Sequence, residues 1–166
     1  MKLTDVPVVA RIRQNHGLEH ATIHVLAQQN PALRLVGRTT PGGFYLYGDL
    51  TTKTVRSAVE QAIQRLQQGE ATLAVHPNCG TNLATSGFLA GMAAFVALLP
   101  RARRRTDQLP FAILAATVAV IVAQPLGRLL QARVTTSPDA HNLIVKRITR
   151  REQGRLTVHF VQTAAY

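Results

Sequence analysis

The sequence predicts an α+β fold in which a small antiparallel sheet and two amphipathic helices accompany an apolar two-helix hairpin. Two pairs of short strand-like segments flank glycine-containing turns, two segments carry apolar residues at helical spacing, and two long stretches contain no charged residue. A length of 166 residues fits one domain, because domains usually contain about 100 to 200 residues.

The first helix is predicted close to the start of the chain. Thr4 and Asp5 can cap it, Pro7 is compatible with its first turn, and Asn30-Pro31 would end it. The apolar spacing gives this helix an inward-facing stripe, which consists of Val9, Ile12, His16, His20, Ile23 and Ala27.

A β-hairpin and a second helix are predicted next. Segments 33–39 and 44–50 flank Pro41-Gly42-Gly43, which is a strong turn signal. An amphipathic helix then opens at Thr51-Thr52 and is closed by Gly69. Residues 71–75 are short and apolar, and we predict one more strand there.

Two uncharged segments, 83–99 and 111–126, form the predicted apolar hairpin, and the basic run Arg101–Arg105 connects them. A helix needs about 20 apolar residues to cross a hydrocarbon core of about 30 Å, and both segments reach that length when their polar flanks are counted. We therefore expect a transmembrane hairpin. The alternative is a pair of helices that are buried in a soluble homo-oligomer.

The last strands, 143–148 and 156–161, are predicted on either side of Gln153-Gly154. These elements divide the chain into three parts. Residues 1–80 form an N-terminal α+β part, residues 81–130 form the apolar hairpin, and residues 131–166 form a β-hairpin that completes the same domain as the first part.

The composition is basic and favours anionic partners. Nineteen Lys and Arg against eight Asp and Glu give a net charge of +11, which suits a lipid bilayer with anionic head groups. Nucleic acid is not expected as a partner, because the arginine run lacks interleaved aromatic residues. The 46% hydrophobic fraction excludes a disordered chain, and the single cysteine excludes an intrachain disulfide framework.

The motif with the clearest chemistry is His16-Gly-Leu-Glu-His20 in the first helix. Residues four apart project from one helix face, so the two imidazoles can share one metal ion. Glu19 completes an H-x-x-E-H pattern, in which the glutamate acts as general base toward a metal-bound water. The alternative is that both histidines are ordinary core residues bonded to their neighbours.

Three further features favour the metal. The two histidines lie on the inward stripe, where imidazoles without partners are costly. Gly17 is unfavourable inside a helix and indicates close approach by another element. His76-Pro-Asn-Cys79 precedes the first apolar helix with H-x-x-C spacing, and a helix N-terminus favours a cysteine thiolate.

These residues predict a divalent metal site, with zinc as the expected ion. His16 and His20 with either His76 or Cys79 would leave one position open for water, as in an enzyme, whereas binding by both residues would close the site. His24 and Asp139 are candidates for a further ligand or for supporting a ligand. We expect His141 and His159 at the surface.

Three blocks of sequence, in this order, resemble the YqhQ-like family of bacterial membrane proteins, which are described as predicted metal-dependent enzymes with no known substrate. The blocks are His16-Gly-Leu-Glu-His20, His76-Pro-Asn-Cys-Gly-Thr81 before one apolar helix and Gln131-Ala-Arg-Val-Thr-Thr-Ser-Pro-Asp139 after another. The resemblance implies a metal centre at His16, Glu19, His20, His76 and Cys79. It supplies no reaction, and Ala21 stands where the family has a basic residue.

The expected function is a membrane-anchored, metal-dependent hydrolase, a peptidase or amidase in which Glu19 is the catalytic base. The alternative is a non-catalytic metal-binding membrane protein, and a third possibility is a soluble basic module that binds nucleic acid through its arginines. Sidedness is contested: the connector's arginines favour a cytoplasmic connector, but that orientation would export the N-terminal part without a signal. We expect a bacterial plasma membrane with the metal-bearing part on the cytoplasmic side.

Overall fold

The computed structural model describes residues 6–99, 105–154 and 156–165. In this part of the chain, the α+β prediction is confirmed by four α-helices and a four-stranded antiparallel sheet with strand order β1-β2-β4-β3. The elements in chain order are α1 (Pro7–Gln29), β1 (Val36–Thr40), β2 (Gly43–Tyr47), α2 (Thr52–Gln67), α3 (Gly80–Ala97), α4 (Leu109–Leu130), β3 (Leu143–Gln153) and β4 (Leu156–Ala165).

The described residues fall into two compact units. The first contains the chain up to His76 and from Ala132 onward, and the second contains Pro77–Gln131. The predicted caps Thr4 and Asp5 and the connector residues 101–104 lie outside the described residues.

Helix α1 is the central element of the first unit. It contacts α2, β1 and β2, and Leu18, Val25 and Leu26 are almost completely buried in the core. The predicted one-sided stripe is wrong at Ala27, which lies near the end of the helix and is exposed. The middle of the helix is enclosed from several directions, so burial there is not limited to the stripe. Polar residues of α1 are buried as well, namely Asn15, Glu19, His20 and Thr22.

The amide of Asn15 shows how this buried polarity is accommodated. Its Nδ2 donates to the carbonyl oxygens of Thr40 and Pro41 at 3.0 and 3.2 Å, and its Oδ1 accepts from the Thr163 hydroxyl at 2.6 Å. Asn15 therefore joins α1 both to the nearby β1–β2 turn and to β4, which lies more than 100 residues later in the sequence.

The second helix confirms its predicted boundaries. The Thr51 hydroxyl accepts from the Thr54 backbone N–H at 3.1 Å, and Gly69 adopts a φ of 94°, which favours glycine after a helix end. The strand predicted at residues 71–75 is wrong, because Ala71–Ala74 forms a 3-10 helix. Its last carbonyl groups bond to histidines of α1 and not to a neighbouring strand.

In the sheet, both predicted hairpins are present, and the later one is longer than predicted. β2 pairs with β4, so the two central strands come from opposite ends of the chain. The β3–β4 pairing begins with Leu143 opposite Ala165 and ends with Gln153 opposite Leu156, and it contains a bulge between Val145 and Arg147. Gly154 takes a φ of 65° at the turn, a conformation that glycine adopts readily.

The second unit contains α3 and α4, which pack against each other. Among the described residues, one continuous helical segment, Thr106–Thr135, is long and apolar enough to cross a membrane by length and composition. This segment contains α4 and the helical turns on either side of it. The small residues Gly87 and Gly91 of α3 have open space where a Cβ would lie, so they do not mediate the packing. The close approach is at Gly127 of α4, where a Cβ would overlap with Asn82.

His159 corrects a sequence-based expectation. We expected a surface residue, but its side chain is completely buried in β4, and its Nε2 lies 3.3 Å from the Thr52 hydroxyl at the start of α2. The other ring nitrogen, Nδ1, has no hydrogen-bond partner among the residues that the structure describes. Burial, and then the positive charge of Arg150, lower the pKa of His159 below its ordinary value.

This lowered pKa predicts a pH dependence of folding. Because the unfolded chain binds the proton more readily, the contribution of His159 to the free energy of unfolding is fully present above pH about 6.5 and decreases as the pH falls below that value. We expect His159→Gln to reduce the loss of stability between neutral and mildly acidic pH. Thermal unfolding across this range, followed by circular dichroism, measures the effect.

The exposed His141 provides the matched control, because His141→Gln also removes one imidazole from the titration. Equal pH dependence in His159→Gln and His141→Gln would contradict the assignment to the buried ring.

Candidate metal centre

Four histidine side chains of the first unit lie next to one another. The ring centroids of His16 and His20 are 4.4 Å apart, those of His20 and His76 are 5.7 Å apart, and those of His24 and His76 are 4.9 Å apart. Three of the rings come from successive turns of α1, and His76 follows the 3-10 helix. The structure therefore brings together the predicted residues His16, His20 and His76 with His24, the candidate for a further or supporting ligand.

Backbone carbonyl groups hold three of these rings. His16 Nδ1 lies 3.0 Å from the Thr135 oxygen, His20 Nδ1 lies 2.8 Å from the Ala74 oxygen, and His24 Nε2 lies 3.0 Å from the Val75 oxygen. A carbonyl oxygen only accepts, so each of these nitrogens donates. In a neutral imidazole the lone pair is then on the opposite nitrogen.

This arrangement resembles the support of known metal ligands, because a histidine that binds a metal usually donates its other N–H to a carbonyl or carboxylate. The ligand-type nitrogens of His16 and His20 lie within 4.8 Å of each other. Two zinc-bound imidazole nitrogens are separated by about 3.3 Å in a tetrahedral site, given Zn–N bonds of about 2.0–2.1 Å.

The electrostatics of the cluster favour a neutral His76. Burial, and then the positive charge of the neighbouring His24 and His20, lower the pKa of His76 to about 4. His76 is consequently neutral at pH 7, which is the protonation state in which imidazole binds a metal.

Gly17 confirms the close approach predicted from the sequence. A Cβ at this position would overlap with the carbonyl oxygen of Ser137 and would lie 3.3 Å from the Ala74 side chain. The segment that reaches α1 here is also held by Arg13, whose guanidinium donates to the Arg133 and Thr136 carbonyls at 3.1 Å each. These contacts fix the chain that presents the Thr135 carbonyl to His16.

Glu19 is buried, and its carboxylate accepts a hydrogen bond from the Thr39 hydroxyl of β1. Gly37, two residues earlier in the strand, leaves room for it, because a Cβ there would overlap with the Glu19 carboxylate. The described contacts of Glu19 are therefore with β1. No sequence pattern indicates this strand as the partner of Glu19.

Cys79 and Asp139, the two other predicted residues, take different positions. Cys79 belongs to the second unit and is the N-cap of α3, where its sulfur accepts from the Thr81 backbone N–H at 3.4 Å. The predicted location at a helix N-terminus is therefore confirmed. Asp139 is exposed in a turn, and its carboxylate accepts from the His141 backbone N–H at 3.1 Å.

Sequence reasoning missed the carbonyl groups that orient the rings. Thr135, Ala74 and Val75 contribute through their backbones, so their side chains carry no signal of this role. Thr135 lies close to His16 only because segment 132–137 folds back against α1.

The fold and the cluster define an α+β protein with a partly buried histidine cluster built mainly on its central helix. A family model described as "Domain of unknown function (DUF6391)" matches residues 11–148, a range that contains every candidate site residue. The chain belongs to this family.

An uncharacterized protein of Picosynechococcus sp. strain PCC 7002 is 39% identical over an alignment of 137 residues, and the match covers 76% of this chain and 66% of that protein. The chain thus matches just under two thirds of that relative's length. No solved structure matches the chain. A family of unknown function agrees with the general class that the sequence resemblance implied, but neither match links the chain to the YqhQ-like family.

The contact between Gly37 and Glu19 predicts a specific pair of effects on stability. Gly37→Ala should lower the free energy of unfolding by about 1–3 kcal/mol, because the added methyl group displaces a buried carboxylate from its hydrogen bond. When Glu19→Ala is added to Gly37→Ala, much of the free energy of unfolding lost to the added methyl group should be recovered, because the shorter side chain leaves space for that methyl group. Chemical denaturation of the two single variants and the double variant measures this coupling.

Gly42→Ala is the matched control, because a Cβ at Gly42 meets no atom within 4 Å. If Gly37→Ala and Glu19→Ala were additive, the close packing of these two residues would not govern stability.

Proposed function

We propose that the histidine cluster binds a divalent metal ion, zinc in the first instance, and that the chain is a membrane-anchored metalloprotein. The observation that carries this proposal is that His16, His20 and His24 each direct one ring nitrogen to a backbone carbonyl. Buried core histidines also need partners, but here the ligand-type nitrogens of His16 and His20 also lie within 4.8 Å of each other.

The candidate ligands are His16, His20, His76 and Cys79: with either His76 or Cys79 bound beside His16 and His20, one position stays open for water, and with both bound the site is closed. His76 and Cys79 are only three residues apart, so chain geometry keeps their Cα atoms within about 11 Å. Cys79 lies at the N-terminus of α3, and the helix dipole there favours the thiolate form that binds metals. His24 is a candidate fifth residue, as a ligand or as a neighbour that supports His76. Asp139 stays a weaker candidate, in a turn.

We further propose metal-dependent hydrolysis of a peptide or amide bond. Zinc in a site with one open position supplies a Lewis acid and lowers the pKa of a coordinated water molecule. Within the H-x-x-E-H helix, Glu19 is the group that would accept a proton, and the rings of His16 and His20 would be held in position by their carbonyl partners. This role requires the Glu19 carboxylate to turn from the Thr39 hydroxyl.

A specific contact favours a second candidate function, a metal-binding protein without catalysis. Glu19 is buried and accepts from Thr39, which is the contact expected of a residue that fastens β1 to α1. Substitution of Glu19 therefore distinguishes the two functions.

Metal analysis of the full-length protein tests the binding proposal. We expect about one zinc ion per chain after exposure to zinc and dialysis, and a 10-fold or greater loss of zinc affinity in His20→Gln, because first-shell ligands contribute at least as much as their supporting groups. His141→Gln, which alters an exposed histidine, should bind zinc as the unmodified protein does. Circular dichroism checks that each variant is folded.

Glu19→Gln should retain zinc and, in an enzyme, lower the hydrolysis of quenched-fluorescent peptides about 10²–10⁴-fold. Zinc binding without any zinc-dependent hydrolysis would support the non-catalytic function. Absence of stoichiometric zinc in the unmodified protein, or equal losses in His20→Gln and His141→Gln, would contradict the metal site.

We also propose that α3 and α4 form a transmembrane hairpin. Helix α4 alone has 22 residues, a length of about 33 Å at 1.5 Å per residue, compared with a hydrocarbon core of about 30 Å. Only 11% of the apolar window in Thr106–Thr135 is buried, unlike the core helix of a soluble protein. Phe88, Phe111 and Ile121 are each more than 65% exposed.

The proposed environment is a bacterial plasma membrane with anionic head groups, which would suit the net charge of +11. We place the metal-bearing unit on the cytoplasmic side, because that orientation requires no export of the N-terminal part.

Membrane insertion predicts a strong effect of charge on α4. The unmodified protein should remain in the membrane fraction after an alkaline wash, and the double variant Val118→Lys, Ile121→Lys should be released, because each lysine at the centre of a span costs about 2.5–3.5 kcal/mol. Val36→Lys replaces an equally exposed apolar residue of β1 and should stay with the membrane. Recovery of the unmodified protein in the soluble fraction as a homo-oligomer would support the alternative instead.

A further inference from the structure

The sheet has one face against α1 and α2 and a second face that points away from them. Directly opposed residues of antiparallel strands share a face, and the contacts of Thr39 with Glu19 and of Thr163 with Asn15 identify the inward one. The register then assigns three rows to the outward sheet face, namely Val36–Tyr47–Val158–Arg151, Arg38–Tyr45–Phe160–Thr149 and Thr40–Gly43–Gln162–Arg147.

Aromatic rings occupy the centre of this outward sheet face. Tyr45 and Tyr47 of β2 and Phe160 of β4 are half-buried. The ring centroids of Tyr45 and Phe160 are 4.6 Å apart, and those of Tyr45 and Tyr47 are 6.4 Å apart. The three rings therefore form a continuous platform on the two central strands, in a chain that has only three Tyr, five Phe and no Trp.

Arginines lie on both edges of the platform. Arg38 is on β1, Arg147 and Arg151 are on β3, and all three are exposed. No Asp or Glu occupies the three outward rows of these described strands. Neighbouring strands are about 4.8 Å apart, so the two arginine-bearing edges are separated by about 14 Å.

We propose that the outward sheet face binds single-stranded nucleic acid. Bases would stack on Tyr45, Tyr47 and Phe160, and the phosphates would contact the arginines of the two edges. Flat rings accept any unpaired base, and arginine neutralises the backbone, so this combination binds single strands with little sequence preference. The extent of the platform suits two or three bases.

From the sequence, nucleic acid was not expected as a partner, because the connector Arg101–Arg105 has no interleaved aromatic residues. The outward sheet face is a different surface. Its aromatic and basic residues come from positions 38 to 47 and 147 to 160, and strand pairing alone places them together. The charge of the face and its ring platform are the observations that select this partner.

Fluorescence anisotropy with labelled oligouridylate and oligothymidylate tests the proposal on the full-length protein in detergent. Tyr45→Leu should weaken binding roughly 5- to 150-fold, whereas Tyr45→Phe should retain it, because stacking requires the ring and not the hydroxyl. The triple variant Arg38→Gln, Arg147→Gln, Arg151→Gln should weaken binding and reduce the salt dependence by about two units, at about 0.7 per phosphate contact.

The triple variant Arg11→Gln, Lys53→Gln, Arg56→Gln is matched in charge and alters exposed helix residues, so it should bind nearly as the unmodified protein does. Equal weakening by both triple variants would overturn the proposal in favour of general attraction by net charge. Absence of binding by the folded protein would also overturn it. A third result would also overturn the proposal: the protein floats with phosphatidylglycerol vesicles, and Tyr45→Leu abolishes this flotation but leaves the oligonucleotide affinity unchanged.

Discussion

Hydrogen bonds from ring nitrogens of α1 to backbone carbonyl oxygens are the interactions on which the histidine cluster depends. Each such bond fixes which nitrogen carries the proton and how far the ring can turn. The accepting carbonyls of Ala74 and Val75 end the 3-10 helix, and that of Thr135 follows α4. The state of the rings is therefore set by backbone segments that are distant in sequence.

The same constraint explains why α1 contains so many polar residues in its buried middle. Each of these groups meets a particular partner: Asn15 meets the β1–β2 turn and Thr163, Glu19 meets Thr39, and Thr22 donates to the Leu18 carbonyl at 2.7 Å. Buried polar groups without partners are strongly destabilising. The helix thus tolerates this composition only because several other elements pack around it.

The parts of the fold that depend on local signals were predictable from the sequence. The glycine turns, the Thr51 cap, the end of α1 at Asn30 and the shared helix face of His16 and His20 all follow from short-range geometry. Gly17 even indicated that another element approaches α1. These features required no knowledge of which strands pair.

Other features depend on long-range pairing and were not predictable. A short apolar run at residues 71–75 has no periodicity that separates a strand from a 3-10 helix. Alternation in β4 shows that His159 and Phe160 lie on opposite faces, but only the packed helices decide that His159 is inward. Likewise, no local pattern indicates that Gly37 faces Glu19. The candidate site was therefore predictable in its imidazoles and not in its surroundings.

The central position of β4 in the sheet affects the order in which the protein can fold during synthesis. β2 pairs with β4 along its length, so one side of β2 has no strand partner until residues 156–165 have left the ribosome. By then α3 and α4 have already emerged, so both apolar helices are synthesised before the sheet closes. Until that point, the half-formed sheet and the buried face of α1 are candidates for protection by chaperones.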